Sequence, residues 1–306
     1  MTIISLRPLR QIKARVPDVA VSEAGPVDGT SVSWMHGFPY DIYAYAEVAS
    51  LLPDRRCRVY TPCLRGYGTT RFFNDAMPRS GEKAVPDSDL LTLMDALVVW
   101  RAVLASYDWG GLAAHVTAAF WPERCSGLNS LSSYNAQNIT AAMVVDSPEN
   151  ERSPWYQYYF HSGRGRAGLT DDRRGICCLL WNLWSPTWSF AASTFERRVA
   201  ALGNANIMDM VIHSYRHCFG VVAGDPALTD IKCRLATLFP IAVPSITFHG
   251  ANDGVGLPAS AEHYARQFAS PGSHRNVPGM GHNLPQEVPE VFAEAVLKLQ
   301  QQGFAT

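Results

Sequence analysis

The stretch Ala105-Ser106-Tyr107-Asp108-Trp109-Gly110-Gly111 constrains the fold of this chain more than any other. Trp100 to Ala105 before it reads as a short buried strand, and Leu112 to Phe120 after it reads as an Ala-rich helix, so Asp108 sits on a strand-to-helix turn. Ser106, Gly110 and Gly111 leave room for a strained backbone at the bend, and such a bend lifts its central side chain above the edge of a sheet. Taken alone, the heptapeptide also fits an ordinary Gly-rich turn with a solvated Asp. Its meaning therefore depends on whether other segments agree.

Strand candidates at Arg58–Pro62, Ala102–Ala105 and Gly127–Leu131 alternate with helical patterns at Ala44–Leu52 and Asp87–Leu97. That alternation predicts an α/β fold, a mostly parallel sheet flanked by helices on both faces. From Asn138 to Pro240 no clear strand appears and aromatic residues are frequent, which reads as an inserted helical cap. Strand signals resume at Val243–Phe248, and a last helix is expected over Pro289 to Gln300. The expected organisation is one core, residues 1–137 and 241–306, interrupted by a cap at 138–240; 306 residues suffice for this. No internal repeat or low-complexity tract is visible.

Three more segments bear on Asp108. Upstream, Met35-His36-Gly37-Phe38-Pro39 follows a short strand-like run, where a backbone N–H can face the turn. Downstream, Ile246 to Gly254 reads as a strand entering a loop that carries Asp253. Val277-Pro278-Gly279-Met280-Gly281-His282 puts a histidine beyond a final short strand. The order is nucleophile, acid, histidine. Alone, Asp253 in Asn252-Asp253-Gly254 fits a turn residue and His282 a surface-loop histidine; with the Asp108 turn they become candidate acid and base. His36 reads as structural, holding its loop through a side-chain hydrogen bond.

His36-Gly37-Phe38-Pro39, Asp108-Trp109-Gly110-Gly111 and Gly281-His282 resemble the HGxP, DWGG and GH signatures of the epoxide hydrolase branch of the α/β-hydrolase superfamily, and the resemblance extends over nearly the whole chain. It implies an α/β-hydrolase fold in which Asp108 is the nucleophile. A carboxylate with a pKa near ~4 is ionised at neutral pH and attacks without a base. Its natural electrophile is an sp³ carbon of an epoxide or a haloalkane, giving an ester on Asp108. Water activated by His282, oriented by Asp253, would release that ester. The backbone N–H groups of Phe38 and Trp109 are the expected oxyanion donors, and a cis bond before Pro39 would suit that loop.

Epoxide opening needs a proton for the leaving alkoxide, whereas a halide needs none. Within Trp155-Tyr156-Gln157-Tyr158-Tyr159-Phe160 the branch's Tyr-Gln pair matches Tyr156 and Gln157, and Val211 to Arg216 resembles its second Tyr-Arg segment, so Tyr156 and Tyr215 are the implied proton donors. Tyr158 and Tyr159 read as packing. Trp181 and Trp184, three apart on one helical face, either pack the cap on the core or line the pocket. Phe38, Trp109, Gln157, Trp181 and Trp184 form the expected substrate-binding set, favouring a bulky apolar or aromatic epoxide. A haloalkane dehalogenase is the nearest alternative, but such enzymes more often have Asn after the His-Gly pair and lack both tyrosines. Ser106 and Tyr107 depart from the family's usual Gly and His, and Thr30-Ser31-Val32-Ser33-Trp34 carries two serines where a strongly apolar strand is usual; those hydroxyls would need partners. A chain that keeps the fold but has lost turnover, serving to bind a ligand or partner, is a further alternative.

A formal charge of −1 without a basic cluster argues against nucleic acid. The partners expected are a small apolar epoxide and water, with a homodimer allowed for. Seven cysteines at 57, 63, 125, 177, 178, 218 and 233 follow no metal or disulfide spacing and read as reduced, in a cytoplasmic protein. Neither a signal peptide nor a membrane span is expected. No metal cluster, phosphate loop or nucleotide fingerprint is visible, so no cofactor is expected.

Overall fold

The sheet's central strands are buried on both sides. The computed structural model describes residues 6, 8–15, 17–52, 56–82, 85–131, 143–237, 240–256, 258, 264, 266–269 and 272–303. Its strands are β1 (Arg10–Lys13), β2 (Pro17–Ala24), β3 (Thr30–Met35), β4 (Cys57–Pro62), β5 (Arg71–Phe72), β6 (Ala102–Ser106), β7 (Cys125–Leu131), β8 (Ser245–Gly250) and β9 (Gly272–Val277). They form one sheet in the order β1-β2-β4-β3-β6-β7-β8-β9, with β5 paired to β2. From β4 to β9 every pairing is parallel, and the antiparallel pairs are at the N-terminal edge. Every residue of β6 and β8 is buried. The edges read differently: β1 is Arg-Gln-Ile-Lys and β9 is mostly exposed, the polar composition that discourages further strand pairing.

Strand alternation divides the core. Val103 and Ala105 of β6 belong to one cluster, with Val32 and Trp34, while Ala102 and Leu104 belong to the other, with Met35. The helix Asp108–Phe120 covers the second face with Ala113, Ala114 and Ala118, small side chains that allow close approach. The C-terminal helix covers the first with Phe292, Ala295, Val296 and Leu299. It runs over Pro289–Gly303, beyond the expected Gln300. The doubly wound α/β arrangement is therefore as the sequence implied.

Several boundaries move. Trp100 is 70% exposed, and the strand begins only at Ala102. Expected strand Val243–Phe248 becomes Ser245–Gly250, and the helical pattern Ala44–Leu52 resolves into a 3₁₀ turn Ile42–Tyr45 followed by Ala46–Leu51. β3 forms despite its serines, flanked by β4 and β6; Ser31 is half-buried and Ser33 buried.

Between β7 and β8 the chain builds helices Pro148–Arg152, Trp155–His161, Gly163–Asp171, Arg173–Trp184, Ala192–Val199, Ile207–Cys218 and Thr229–Leu235. Ser147, Ser162 and Asp172 start three of them by accepting from a backbone N–H three residues on. Phe160, Leu180, Trp181, Trp184 and Val211 share one apolar cluster with Trp34, Phe38 and Tyr40, so these helices have a core in common with the sheet. The expected start of the insertion, Asn138, lies outside the described residues. No helix among the described residues is long and apolar enough to cross a membrane.

Candidate functional site

Asp108 takes φ 52°, a left-handed conformation costly for a residue with a Cβ, at the junction of β6 and the following helix. The helix begins at Asp108 itself, one turn before the expected Leu112, because Gly111 N–H already donates to Tyr107 O at 3.0 Å. Glycine is required at 110: a Cβ there would lie 2.1 Å from the carbonyl oxygen of Met35. The turn thus holds the Asp108 carboxylate at a helix N-terminus, where the peptide dipoles favour negative charge.

Its two oxygens have different partners. Oδ1 accepts from Phe38 N–H at 2.9 Å and Trp109 N–H at 2.7 Å. Oδ2 lies 3.3 Å from Nε2 of His282. The two backbone groups expected to bind an oxyanion therefore converge on a single oxygen. The Phe38-Pro39 bond is cis. The loop is fixed by His36, whose Nε2 accepts from Leu64 N–H at 3.2 Å while Nδ1 faces Gly37 O at 3.1 Å. Burial pushes His36 down to about 4, so it is neutral with its proton on Nδ1, the structural role read from the sequence.

His282 is 2% exposed between two carboxylates. Its Nδ1 lies 2.8 Å from Oδ2 of Asp253, whose Oδ1 accepts from Val255 N–H at 2.8 Å. Burial opposes a charged imidazole, but Asp253 and Asp108 outweigh it and lift His282 to about 10. In Asp253, burial pushes upward while the charge and hydrogen bond of His282 pull harder, leaving its carboxyl below the usual range. His249 was not singled out in the sequence. Four residues before Asp253, its Nε2 lies 3.7 Å from Oδ2 and donates to Gly256 O at 3.1 Å; burial keeps it neutral.

The insertion brings the expected aromatic residues over this centre. The rings of Tyr156 and Tyr215 are 5.4 Å apart, both 2% exposed, and Tyr215 lies 5.6 Å from Trp109 and 6.1 Å from Phe38. Burial, with Asp108 nearby, raises both phenols, so each keeps its proton at neutral pH. Gln157 Nε2 donates to the Tyr156 oxygen at 3.1 Å, leaving the phenol proton free to point elsewhere. Trp184 packs on Tyr156 at 5.0 Å and on His282 at 5.4 Å. Trp181 stands one layer away: its Nε1–H donates to Pro39 O at 3.1 Å and its ring meets Tyr40, Trp188, Phe190 and Phe195. Tyr158 is 37% exposed and donates to Glu151. Tyr40, whose ring lies 6.2 Å from His282, is a buried neighbour that sequence reasoning passed over. Among the described residues no His, Cys, Asp and Glu side chains gather as a metal site.

This arrangement can attack with one oxygen, stabilise charge on the other, and move protons at a buried imidazole and two phenols. The sequence pattern of the alpha/beta hydrolase family matches residues 34–295. The crystal structure of a candidate epoxide hydrolase from Klebsiella pneumoniae is 39% identical and superposes with a TM-score of 0.94 over 96% of this chain and 97% of that one. Epoxide hydrolase 3 of Siraitia grosvenorii is 32% identical over 114 residues, 37% of this chain but only 34% of that relative's length. A haloalkane dehalogenase variant from Bradyrhizobium elkanii shares the fold, with a TM-score of 0.74 at 20% identity over 97% of each chain. With its family pattern matched across the sheet and the insertion, and its likeness to the Klebsiella protein spanning both chains, this chain belongs to the alpha/beta hydrolase family and is epoxide hydrolase-like.

Proposed function

We propose that the protein hydrolyses epoxides to vicinal diols through an ester on Asp108. The observation that carries this reading is the split environment of the Asp108 carboxylate, Oδ1 held by two N–H groups and Oδ2 free of them beside His282. Oδ2 attacks an epoxide carbon, its C–O bond breaks, and the departing oxygen takes a proton from Tyr156 or Tyr215. The carbonyl oxygen of the ester is then Oδ1, already between its donors. His282 passes its resting proton to the phenolate left by ring opening, and its neutral Nε2 then takes a proton from water, hydroxide adds to Cγ, and charge builds on Oδ1 where the Phe38 and Trp109 N–H groups await it. Collapse breaks the Cγ–Oδ2 bond, the His282 imidazolium protonates the departing oxygen to give the diol, and the new carboxyl, which keeps the water oxygen, returns its proton to His282.

Asp253 and Asp108 together hold His282 in its charged form, and esterification removes one of those two negative charges. The imidazole therefore becomes a better base at the step that needs one. The apolar rings of Phe38, Trp109 and Trp184 beside Asp108 and His282 support a bulky apolar or aromatic epoxide. A helical insertion acting as the cap at 138–240 supplies the tyrosines. The expectations of a cytoplasmic location and of a homodimer remain part of this reading.

The test is mass spectrometry of a His282→Gln variant incubated with matched epoxides and haloalkanes. The expected result is an added mass equal to a whole epoxide on the Asp108 peptide, lost when Tyr156 and Tyr215 are also changed to Phe. An alkyl adduct without halogen would transfer the protein to the dehalogenases. No adduct from either panel would leave it a binding protein on a hydrolase fold.

A further inference from the structure

Nothing in the mechanism above explains how the His282 loop is held. It carries no regular structure between Val277 and Leu284, yet His282 must keep Nδ1 on one carboxylate and Nε2 toward another. Two side chains that take no part in the chemistry meet this loop at three successive backbone N–H groups. Glu287 Oε2 accepts from Gly281 N–H at 2.7 Å, and its Oε1 accepts from Asn283 N–H at 2.9 Å. Ser185 Oγ accepts from His282 N–H at 3.0 Å and donates its own proton to Glu287 Oε1 at 2.8 Å. The serine hydroxyl thus links the loop to the glutamate in one continuous network.

Ser185 belongs to the insertion, immediately after helix Arg173–Trp184, whereas Glu287 lies 102 residues away at the end of the short helix Leu284–Glu287 that follows the loop. The end of that insertion helix is wedged between the two loops of the site. The Trp184 carbonyl accepts from His282 N–H at 3.1 Å and from Gly254 N–H, next to Asp253, at 3.0 Å. The fit allows no side chains: a Cβ on Gly281 would lie 2.4 Å from Ser185 Cα, and one on Gly254 would lie 2.0 Å from Leu183 O.

We infer that Ser185 and Glu287 are positioning residues that clamp the His282 loop to the insertion and thereby set the imidazole for ester hydrolysis. This rests on the Asp108 ester reading for its kinetic consequence but not for its geometric one. The clamp fixes the base by its backbone, so its loss should slow the step that uses His282 as a base and spare attack by Asp108, which is held by the Phe38 and Trp109 N–H groups. A misplacement of about 1 Å at a reacting group lowers rates on the order of 100-fold.

The experiment compares Ser185→Ala, Glu287→Ala and Glu287→Gln with the parent protein in two readouts. Stopped-flow single turnovers on an aryl epoxide that the parent protein hydrolyses separate ester formation from ester hydrolysis. Proton NMR of the free protein follows the downfield resonance of the His282 Nδ1 proton shared with Asp253. Expected are a tenfold to 100-fold slower hydrolysis in both Ala variants with ester formation within about threefold, a partial effect in Glu287→Gln, which keeps one acceptor oxygen, and a shifted or broadened Nδ1 proton. An unchanged hydrolysis rate, or equal loss of both steps in a folded variant, overturns the inference, as does an unmoved Nδ1 proton. If no epoxide forms an ester on the parent protein, the mechanistic reading has failed and the NMR comparison alone decides on the clamp.

Discussion

Gly37 stands so close to Asp108 that a Cβ built on it would fall 1.9 Å from Oδ1 and 2.4 Å from the Asp108 Cβ. The loop bearing the Phe38 N–H can reach the carboxylate only because residue 37 has no side chain. Gly37→Ala must therefore push the loop or Asp108 aside, opening the 2.9 Å contact from Phe38. Losing one such donor costs roughly 3–4 kcal/mol in comparable sites, so kcat should fall about 10²–10³-fold. Steady-state kinetics beside a thermal melt check this: the expected result is a large kinetic loss in a protein that still folds, and near-parental kcat would refute the role of the loop.

The pH dependence follows from the two carboxylates around His282. Its folded value, about 10, lies above the ordinary histidine value of 6.5. Because the folded state binds this proton more tightly, the associated stability is complete below the unfolded value and is lost as pH rises through the folded one. Melting temperature should therefore fall between about pH 6.5 and 10 more steeply in the parent than in His282→Gln, where the group is absent. Parallel curves for the two proteins would show that His282 is not charged at rest.

These relationships differ in how far they could be seen in the sequence. β6 is visible as an apolar run buried on both faces, β7 and β8 are buried but carry Ser, Asn, Thr and His among their apolar residues, and Asp108, Asp253 and His282 stand out because each follows a strand into a turn that carries glycine. β1 and β2 escape this reading: Arg-Gln-Ile-Lys at an exposed edge lacks that apolar signal. The sequence places the start of helix Asp108–Phe120 late, at Leu112, because Trp109, Gly110 and Gly111 are poor helix formers locally, whereas the packed junction with Met35 dictates the turn. Ser185 and Glu287 carry no local signal at all. Their meaning arises only when the insertion closes over the His282 loop. His249 looks like one more residue of an apolar strand until the following turn brings Asp253 back beside it.

Trp181 makes a contact of this long-range kind, since Pro39, whose carbonyl it binds, is 142 residues earlier. The hydrogen bond ties the insertion to the loop that carries the Phe38 N–H, and the 1% exposure of Trp181 means that no water replaces the indole if it is removed. Trp181→Phe should leave the Pro39 carbonyl unsatisfied at about 1–3 kcal/mol, with a further loss from the smaller ring. At roughly 2–4 °C per kcal/mol for a domain of ~150–250 residues, the melting temperature should drop by several degrees. If Trp181 served only to line the pocket, the same change would alter KM for bulky epoxides and leave the melt untouched. The expected outcome is the reverse: a lower melting temperature, a reduced kcat through the displaced Phe38 loop, and similar KM values across epoxides of different bulk.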